Sequence, residues 1–402
     1  MKWQDAKWIH PALLALALSL AAWFPDRIEA AEADRENTEV SAVGESLAAI
    51  VEARDFEAFI ARVDAEGFAD AAYGGLTFAS DRVAHRFRER VRERVEVLAP
   101  YSLARVGAGN VPIRLVRAHR TPEGAQIILR MTTLDPQGLL QNFEYFVIAL
   151  DADDQVIDWG FEKDYQSAAE WERVEAAASE QSGSAMATLF GVARPVSDEE
   201  MRILRTYRDA LLSQQGDVAF ATLGMLPEDF RATRFWALQR LRAANLINDP
   251  AMYRESQAHL AKYFGDDPSL GMLLAGHFLS IGQPRASSDA IQGFAEGFVD
   301  DAVSRSMLCT QLAGQARYAE ATPHCKRAVE LEATTPYFWT VLIGVATEAR
   351  DAELALFGLD GLHRYQGEQL DVAAVRQRPD LYWLADAPEF EAWLKGKASE
   401  TP

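Results

Sequence analysis

The chain repeats itself every 34 residues between Pro268 and Gln369. One leucine position recurs in all three copies, at Leu274, Leu308 and Leu342. A period of this length is that of a helix–turn–helix unit, which cannot bury its apolar face alone and stacks on copies of itself. Arrays of such units are usually binding surfaces, so the repeat favours an interaction protein without naming what it holds.

The three copies, Pro268–Asp301, Ala302–Thr335 and Pro336–Gln369, resemble tetratricopeptide repeats. The resemblance rests on the recurring leucine, on small residues such as Ala321 and Ala355 early in the second helix, and on the best copy in the middle. Segments 198–229 and 234–267 look like degenerate copies. The end of the chain, with Leu381, Leu384, Phe390 and Trp393, looks like a cap over the last apolar face.

The resemblance implies a partner groove along the first helix of each repeat. By register the groove residues are Met272, Gly276, Leu279, Ser306, Thr310, Tyr337, Thr340 and Thr347. They carry no charge, and the Lys/Asn clamp that some members use for a carboxylate is absent. Such a groove suits an extended peptide or a helix of a protein partner. The sequence leaves open whether the N-terminal domain fills the groove or whether it stays empty.

Ahead of the array, helical patterning gives way to alternation typical of strands. Four short strands, 113–120, 126–133, 143–150 and 156–162, are separated by tight turns, which predicts an antiparallel meander. Helices followed by such a meander predict an α+β domain over residues 40–178, followed after a linker at 179–197 by an all-α helical solenoid over 198–396. We expect residues 34–45, which are acidic and polar, to be a flexible tether.

The α+β segment resembles the nuclear-transport-factor-like (cystatin-like) fold, in which a curved sheet wraps a long helix. The resemblance rests on element order and on the strand Val156-Ile-Asp-Trp-Gly-Phe. Enzymes on that fold use a His/Asp or Tyr/Asp constellation inside the sheet, and His119, Glu144, Tyr145 and Asp158 lie on strands that could face it. Nothing in the sequence fixes their mutual geometry, so a structural role is favoured and no catalytic residue is assigned.

The N-terminus has the pattern of an export signal within residues 1–33. Lys2 and Lys7 precede an uncharged apolar run, Trp8–Phe24, and small residues follow that fit a cleavage site. The run is also at the short limit for a membrane-spanning helix. The sequence therefore predicts a periplasmic or exported protein, either cleaved or anchored in a bacterial inner membrane by residues 8–24.

The formal net charge of −20 argues against a general nucleic-acid binder, which needs a basic face. One basic stripe stands out in the helix that follows Asp81, made of Arg82, Arg86, Arg88, Arg90, Arg92 and Arg94. It could meet anionic lipid or an acidic partner. A solvated face laced by ion pairs to neighbouring glutamates is the favoured interpretation.

Two cysteines, Cys309 and Cys325, flank the turn of the middle repeat at similar heights. An exported protein permits a disulfide between them, and two buried thiols are the alternative. No metal-ligating histidine pair and no cofactor-binding motif occurs, so no metal and no cofactor are predicted. We expect a non-catalytic protein–protein interaction scaffold of the cell envelope. The competing hypothesis is a small-molecule-binding or enzymatic α+β domain with the repeats as a docking arm.

Overall fold

The computed structural model describes residues 25–73, 80–104, 111–135, 140–162, 167–179, 191–366 and 378–400, with the single residues 76, 78, 106 and 187. Helices and one antiparallel sheet come first, and a long run of helices follows. The predicted fold class, α+β and then all-α, is confirmed. The export segment Trp8–Phe24 lies outside the described residues. No helix among the described residues is long and apolar enough to cross a membrane.

Among the described residues, four helices precede the sheet. They are α1 (Pro25–Ala53), α2 (Phe56–Ile60), α3 (Ala65–Tyr73) and α4 (Asp81–Ala104), and α5 (Ala168–Ser179) follows the sheet. Asp55 caps α2 by accepting from the amide of Ala58, as an N-cap aspartate does. The apolar stripe of α4 is buried, because Phe87, Val91 and Val95 recur every four residues on one helix face.

The sheet has the sequential order β1-β2-β3-β4 with antiparallel neighbours. Its strands are β1 (Ile113–Thr121), β2 (Gly124–Leu134), β3 (Leu140–Leu150) and β4 (Val156–Phe161). All four predicted strands are therefore confirmed to within three residues at each end. Gly124 begins β2 with φ +155, where an added Cβ would collide with the carbonyl oxygen of Leu150.

The inner face of the sheet is closed by aromatic packing. The ring of Trp159 on β4 stacks on Phe68 at 4.9 Å between centroids and meets Phe59 edge-on at 5.7 Å. Helix α1 covers the β1 side, and Gly44 lets it approach closely, since an added Cβ there would lie 2.8 Å from Leu115. The interior is thus a packed apolar core of the kind that offset and edge-to-face ring pairs stabilise.

The all-α part is a succession of helix hairpins. Its helices are α6 (Asp198–Leu212), α7 (Gly216–Leu223), α8 (Glu228–Arg231), α9 (Arg234–Ile247), α10 (Pro250–Phe264), α11 (Gly271–Ser280), α12 (Pro284–Gly297), α13 (Ala302–Ala313), α14 (Tyr318–Leu331), α15 (Pro336–Ala349), α16 (Ala352–Gln366) and α17 (Pro388–Glu400). Short 3-10 helices span Pro268–Leu270 and Pro379–Asp386. The three sequence repeats begin at Pro268, Ala302 and Pro336, and each of these residues opens a helical element.

The turns inside the hairpins keep the 34-residue period over a longer stretch than the side chains do. Each turn has one residue in the left-handed region, with φ between 56° and 73°, and these residues are Gln214, Asn248, Gly282, Ala316 and Arg350. Successive members are 34 residues apart. The left-handed residue is the common way for a helix to end and the chain to reverse. The backbone therefore repeats five times, including the two segments whose side chains match poorly.

One expectation about a flexible segment differs in the structure. The sequence predicts a tether at residues 34–45, but they lie inside α1, where Val40 and Leu47 are fully buried at helical spacing. The described residues of the expected linker at 179–197 also pack, since Val192 and Val196 are buried. In α1 the apolar side chains at helical spacing outweigh the polar composition.

One hydrophobic core runs through both parts of the chain. It includes Val40 on α1, Trp159 on β4, Val196 before α6 and Leu274 on α11. A second core joins the later hairpins to the C-terminal elements, where Leu384 and Phe390 are buried. The boundary between the α+β region and the array is therefore a packed contact.

Candidate functional site

The outer face of the sheet packs against the helical array. Tyr145 on β3 lies 5.7 Å, ring to ring, from Phe294 on α12 and 6.4 Å from Phe298. Ile128 on β2 and Val299 complete this cluster, and both are fully buried. A sheet with one face on its own helices and the other on the array is buried on both sides, and β2 is accordingly buried almost throughout.

A buried ion cluster crosses the same contact. Arg130 on β2 pairs with Asp301 at 2.7 Å and also with Glu332, and its side chain is only 1% exposed. The Arg130 Nε–H donates to the hydroxyl of Thr132, and the Tyr145 hydroxyl donates to Asp301 at 3.1 Å. Each buried charge thus has an opposite charge and further hydrogen bonds, as burial in a low-dielectric region requires.

Asp301 is placed by the fold of the array. It caps α13 by accepting from the amide of Ser304, whose hydroxyl accepts from the amide of Asp301 in return. Glu332 is the C-cap residue directly after α14. Both carboxylates therefore sit at helix ends that the 34-residue hairpins bring side by side, and the sheet inserts Arg130 between them.

Electrostatics favours the charged form of this arginine. Burial acts to lower the pKa of Arg130, but the attraction of Asp301 and Glu332 outweighs it, and the net pKa is raised. Burial, aided by the charge of Asp301, raises the pKa of Tyr145 well above its usual value. Tyr145 is thus held as a neutral donor, which suits a structural hydrogen bond and not proton transfer near neutral pH.

Two further arginines, the exposed Arg114 and the half-buried Arg117, extend the contact along β1. Arg114 pairs with Glu332 at 3.2 Å and donates to the hydroxyl of Thr334. Arg117 donates to the carbonyl oxygen of Phe298. The sheet therefore meets two loops between successive hairpins, the one before α13 and the one before α15.

The four residues considered for a pocket inside the sheet do not come together. Glu144 pairs in register with Met131, on the inner face, whereas His119 and Asp158 belong to the outer-face set with Gln126 and Ala149. His119 and Asp158 lie on the two edge strands, so three strand spacings of about 4.8 Å separate them. The hydroxyl of Tyr145 donates its hydrogen bond to Asp301.

Asp158 has a capping role. Its Oδ1 accepts from the amides of Trp159 and Ala169, at 2.8 and 2.9 Å, and so holds the start of α5 against β4. Burial raises the pKa of Asp158 to about 6, and these hydrogen bonds offset the effect only in part. This carboxyl titrates near neutral pH because of where it is buried.

The sheet occupies one end of the predicted partner groove. Met272 is half-buried against the outer-face cluster of Ile128 and Tyr145, and Ser306 is 2% exposed. Tyr337 and Thr347 are half-buried, whereas Gly276, Leu279, Thr310 and Thr340 are exposed. The groove is therefore partly covered by the chain's own sheet and open along the rest of the first helices.

The six arginines of α4 do not form one stripe. Arg88 pairs with Asp70 at 2.9 Å and Arg92 with Glu66, both on α3, while Arg94 pairs with Glu172 on α5 at 3.1 Å. Three lie on the exposed surface, namely Arg82, Arg86 and Arg90. Residues two apart on a helix face different sides, so the arginines are spread around α4 and three of them reach neighbouring helices.

The two cysteines form a disulfide in the structure. It joins Cys309 on α13 to Cys325 on α14, with the Cα atoms 5.3 Å apart. Both residues are fully buried. The bond ties together the two helices of the middle hairpin.

Sequence reasoning missed a groove at the seam between the two parts of the chain. It lies between α4, β4 and α5 on one side and the ends of α6, α9 and α10 on the other, and has a volume of about 750 Å³. We call it the seam groove. Its signal in the sequence is weak, because it depends on exposed apolar residues such as Tyr101 and Leu246 on helices far apart in the chain.

Within the described residues no group of three His, Cys, Asp or Glu side chains is placed to hold a metal ion. No protein-family model matches the chain, and no curated protein matches it.

Proposed function

We propose that the chain is a non-catalytic interaction scaffold that holds a protein partner on the first helices of a tetratricopeptide-like array. The proposal rests mainly on an open, uncharged face on three successive first helices. Gly276, Thr310 and Gly344 occupy the same position 34 residues apart, and all three are exposed. An added Cβ at either glycine would have no neighbour within 4 Å.

The chemistry of this face fits an extended segment of a partner. Leu279 is 50% exposed beside it and supplies an apolar contact. The Thr310 and Thr340 hydroxyls donate to carbonyl oxygens one turn back, so they add little charge or demand for water. A smooth uncharged surface that a backbone can approach closely is one on which extended peptides bind.

The arrangement of the α+β region supports a scaffold over an enzyme. Tyr145 and Asp158 are engaged in hydrogen bonds that hold the fold, and the inner face of the sheet is filled by rings. Docking on the array also gives the sheet a supporting role. In this proposal the sheet closes one end of the groove at Met272 and leaves the other end for the partner.

Blocking the open face tests the proposal. Gly276→Arg and Gly344→Arg place a long charged side chain over the face, and we expect each to abolish capture of the partner from envelope extract. The matched control is Gly293→Arg on the second helix α12, where an added Cβ also meets open space. Equal recovery of the same proteins by all three variants and the native chain would overturn the proposal.

The location in the bacterial cell envelope is part of this proposal. It rests on Lys2, Lys7 and the apolar run Trp8–Phe24. N-terminal sequencing of the mature protein separates the two forms. A start between Ala21 and Ala33 means a cleaved signal, and an intact Trp8–Phe24 means a retained anchor.

A further inference from the structure

The seam groove is a large concavity, and most of the side chains that line it are apolar. Its volume of about 750 Å³ falls in the range of small-ligand sites, about 300–1,000 Å³. Large side chains from separate helices line it, namely Val97, Tyr101, Trp171, Leu212, Leu246 and Tyr253.

Several of these side chains are left in contact with water. Tyr101 is 68% exposed, Val97 65%, Leu212 61% and Leu246 42%. Single exposed apolar residues are ordinary on a protein surface, but four that meet in one concavity mark a binding site. The helices that carry them differ, since Val97 and Tyr101 are on α4, Leu212 ends α6 and Leu246 is on α9.

The charge of the groove is opposite to that of the whole molecule. Among its described lining residues the only charged side chains are Arg94 and Arg242, whereas the chain has a formal net charge of −20. Arg94 is neutralised by Glu172, whose side chain is 2% exposed. Arg242 is exposed and lies over the ring of Trp171 at 5.2 Å.

Arg242 therefore has an aromatic neighbour and no carboxylate partner within the described residues. Its position on Trp171 orients the guanidinium at the edge of the apolar wall, where Asn245 is also exposed. An arginine fixed in this way can donate two parallel hydrogen bonds to a carboxylate. An apolar channel with such a donor at its edge matches a ligand with one anionic end and a long apolar body.

We propose that the seam groove binds a single-chain amphiphile with a carboxylate head, such as a long-chain fatty acid. The tail lies along Tyr101, Leu212 and Leu246, and the carboxylate is held by Arg242. This site is separate from the open face of the array, so either proposal can fail without the other.

The binding test uses the full chain and the fluorescent fatty acid 11-(dansylamino)undecanoic acid, with palmitate as competitor. We expect saturable binding that palmitate displaces. Hexadecanol, which has the same tail without the charge, should compete at least about tenfold more weakly, because a charged hydrogen bond contributes roughly one such factor.

Two variants and two controls locate the site. Arg242→Gln should weaken binding about tenfold, whereas Arg254→Gln, an exposed arginine on α10 that does not line the groove, should leave it unchanged. Leu246→Glu should abolish binding, and Met225→Glu, which is 62% exposed elsewhere, should not. All four positions are exposed, so the variants should keep the native circular dichroism spectrum and melting temperature.

Specific results would overturn the proposal. They are an absence of saturable binding to the native chain, equal affinity of the native chain and Arg242→Gln, or binding that survives Leu246→Glu. Flotation with phosphatidylglycerol vesicles separates a free ligand from a lipid surface. Vesicle binding without palmitate binding would show that the chain recognises a lipid surface and not a free fatty acid, and it would overturn the proposal.

Discussion

Arg130 on the sheet and Asp301 at the start of α13 form a buried ion pair across 171 residues of chain, with 2.7 Å between Nη1 and Oδ2. Glu332 contributes a second carboxylate, which pairs with the same guanidinium. The sheet and the array are joined by this cluster and by the rings of Tyr145 and Phe294.

Removing the arginine should destabilise the whole chain. Arg130→Met leaves Asp301 and Glu332 buried without a cation, which costs about 3–5 kcal/mol of unfolding free energy. Urea denaturation measures the change. Arg202→Gln, which breaks an exposed pair with Glu199 on α6, is the control and should change stability far less. Similar losses in the two variants would mean that the buried cluster contributes no more than a surface pair.

Stability should depend on pH through Asp158. Its pKa rises from 3.8 to about 6 on folding, so the native state holds this proton more tightly than the unfolded state does. The protonated Asp158 carboxyl therefore stabilises the native state fully below pH 3.8. This contribution to the unfolding free energy, at most about 3 kcal/mol, is lost as the pH rises through about 6. Asp158→Asn removes this dependence. The difference in unfolding free energy between the variant and the native chain, measured at pH 4.5 and pH 7.5, should shift in favour of the variant at the higher pH. A difference that stays constant would contradict the raised pKa.

Reduction of the disulfide should weaken the middle hairpin. The bond closes a loop with a sequence separation of 16, for which the loss of chain entropy amounts to about 3 kcal/mol. Dithiothreitol should therefore lower the melting temperature of the native chain, and the double variant Cys309→Ala/Cys325→Ala should not respond to it. Denatured, unreduced protein that shows two free thiols would rule out the bond.

The hairpin turns offer a matched pair of substitutions with opposite signs. Gly282 and Ala316 hold the same left-handed position. Gly282→Ala forces a Cβ into that conformation and should cost about 1 kcal/mol, whereas Ala316→Gly relieves it and should raise stability by up to about 1 kcal/mol. Urea midpoints at equal slope check both. A gain of stability in Gly282→Ala together with a loss in Ala316→Gly would show that the left-handed conformation carries no cost at these turns.

The effect of a Gly→Ala substitution on stability should depend on what surrounds the glycine in its helix. Gly344→Ala places a methyl group in open space and should gain about 0.5–1 kcal/mol from helix propensity. Gly361→Ala on α16 would drive its Cβ into the ring of Trp339 and should cost about 1–3 kcal/mol. The two substitutions are chemically identical, so thermal melts of both variants isolate the effect of packing.

The order of elements could be predicted from the sequence because it depends on local patterns. Alternation along Ile113–Thr121 and the turn before Gly124 determine the meander, and leucines 34 apart determine the hairpins. The helix at residues 34–45 could also be predicted, since Val40, Val43 and Leu47 have helical spacing. The polar composition of the segment favours the wrong interpretation, a flexible tether.

The contact between sheet and array could not be predicted in the same way. Arg130 and Asp301 meet only because the sheet and the array have both folded. No local sequence pattern around either residue predicts the contact. One indirect signal exists. β2 has consecutive apolar residues, Ile127, Ile128 and Leu129, which point to opposite faces, and a sheet with one face in water would not need them.

The continuous core from Val40 to Leu274 limits how this gene could be divided or recombined. The sheet is a middle layer between α4 and the array. Separating the α+β region from the array would therefore expose apolar surface on both. A fragment that ends before α6 would expose Val192, Val196 and the ring of Tyr145 to water. The α+β segment could be transplanted to another helical array only together with the loops that receive Arg114, Arg117 and Arg130.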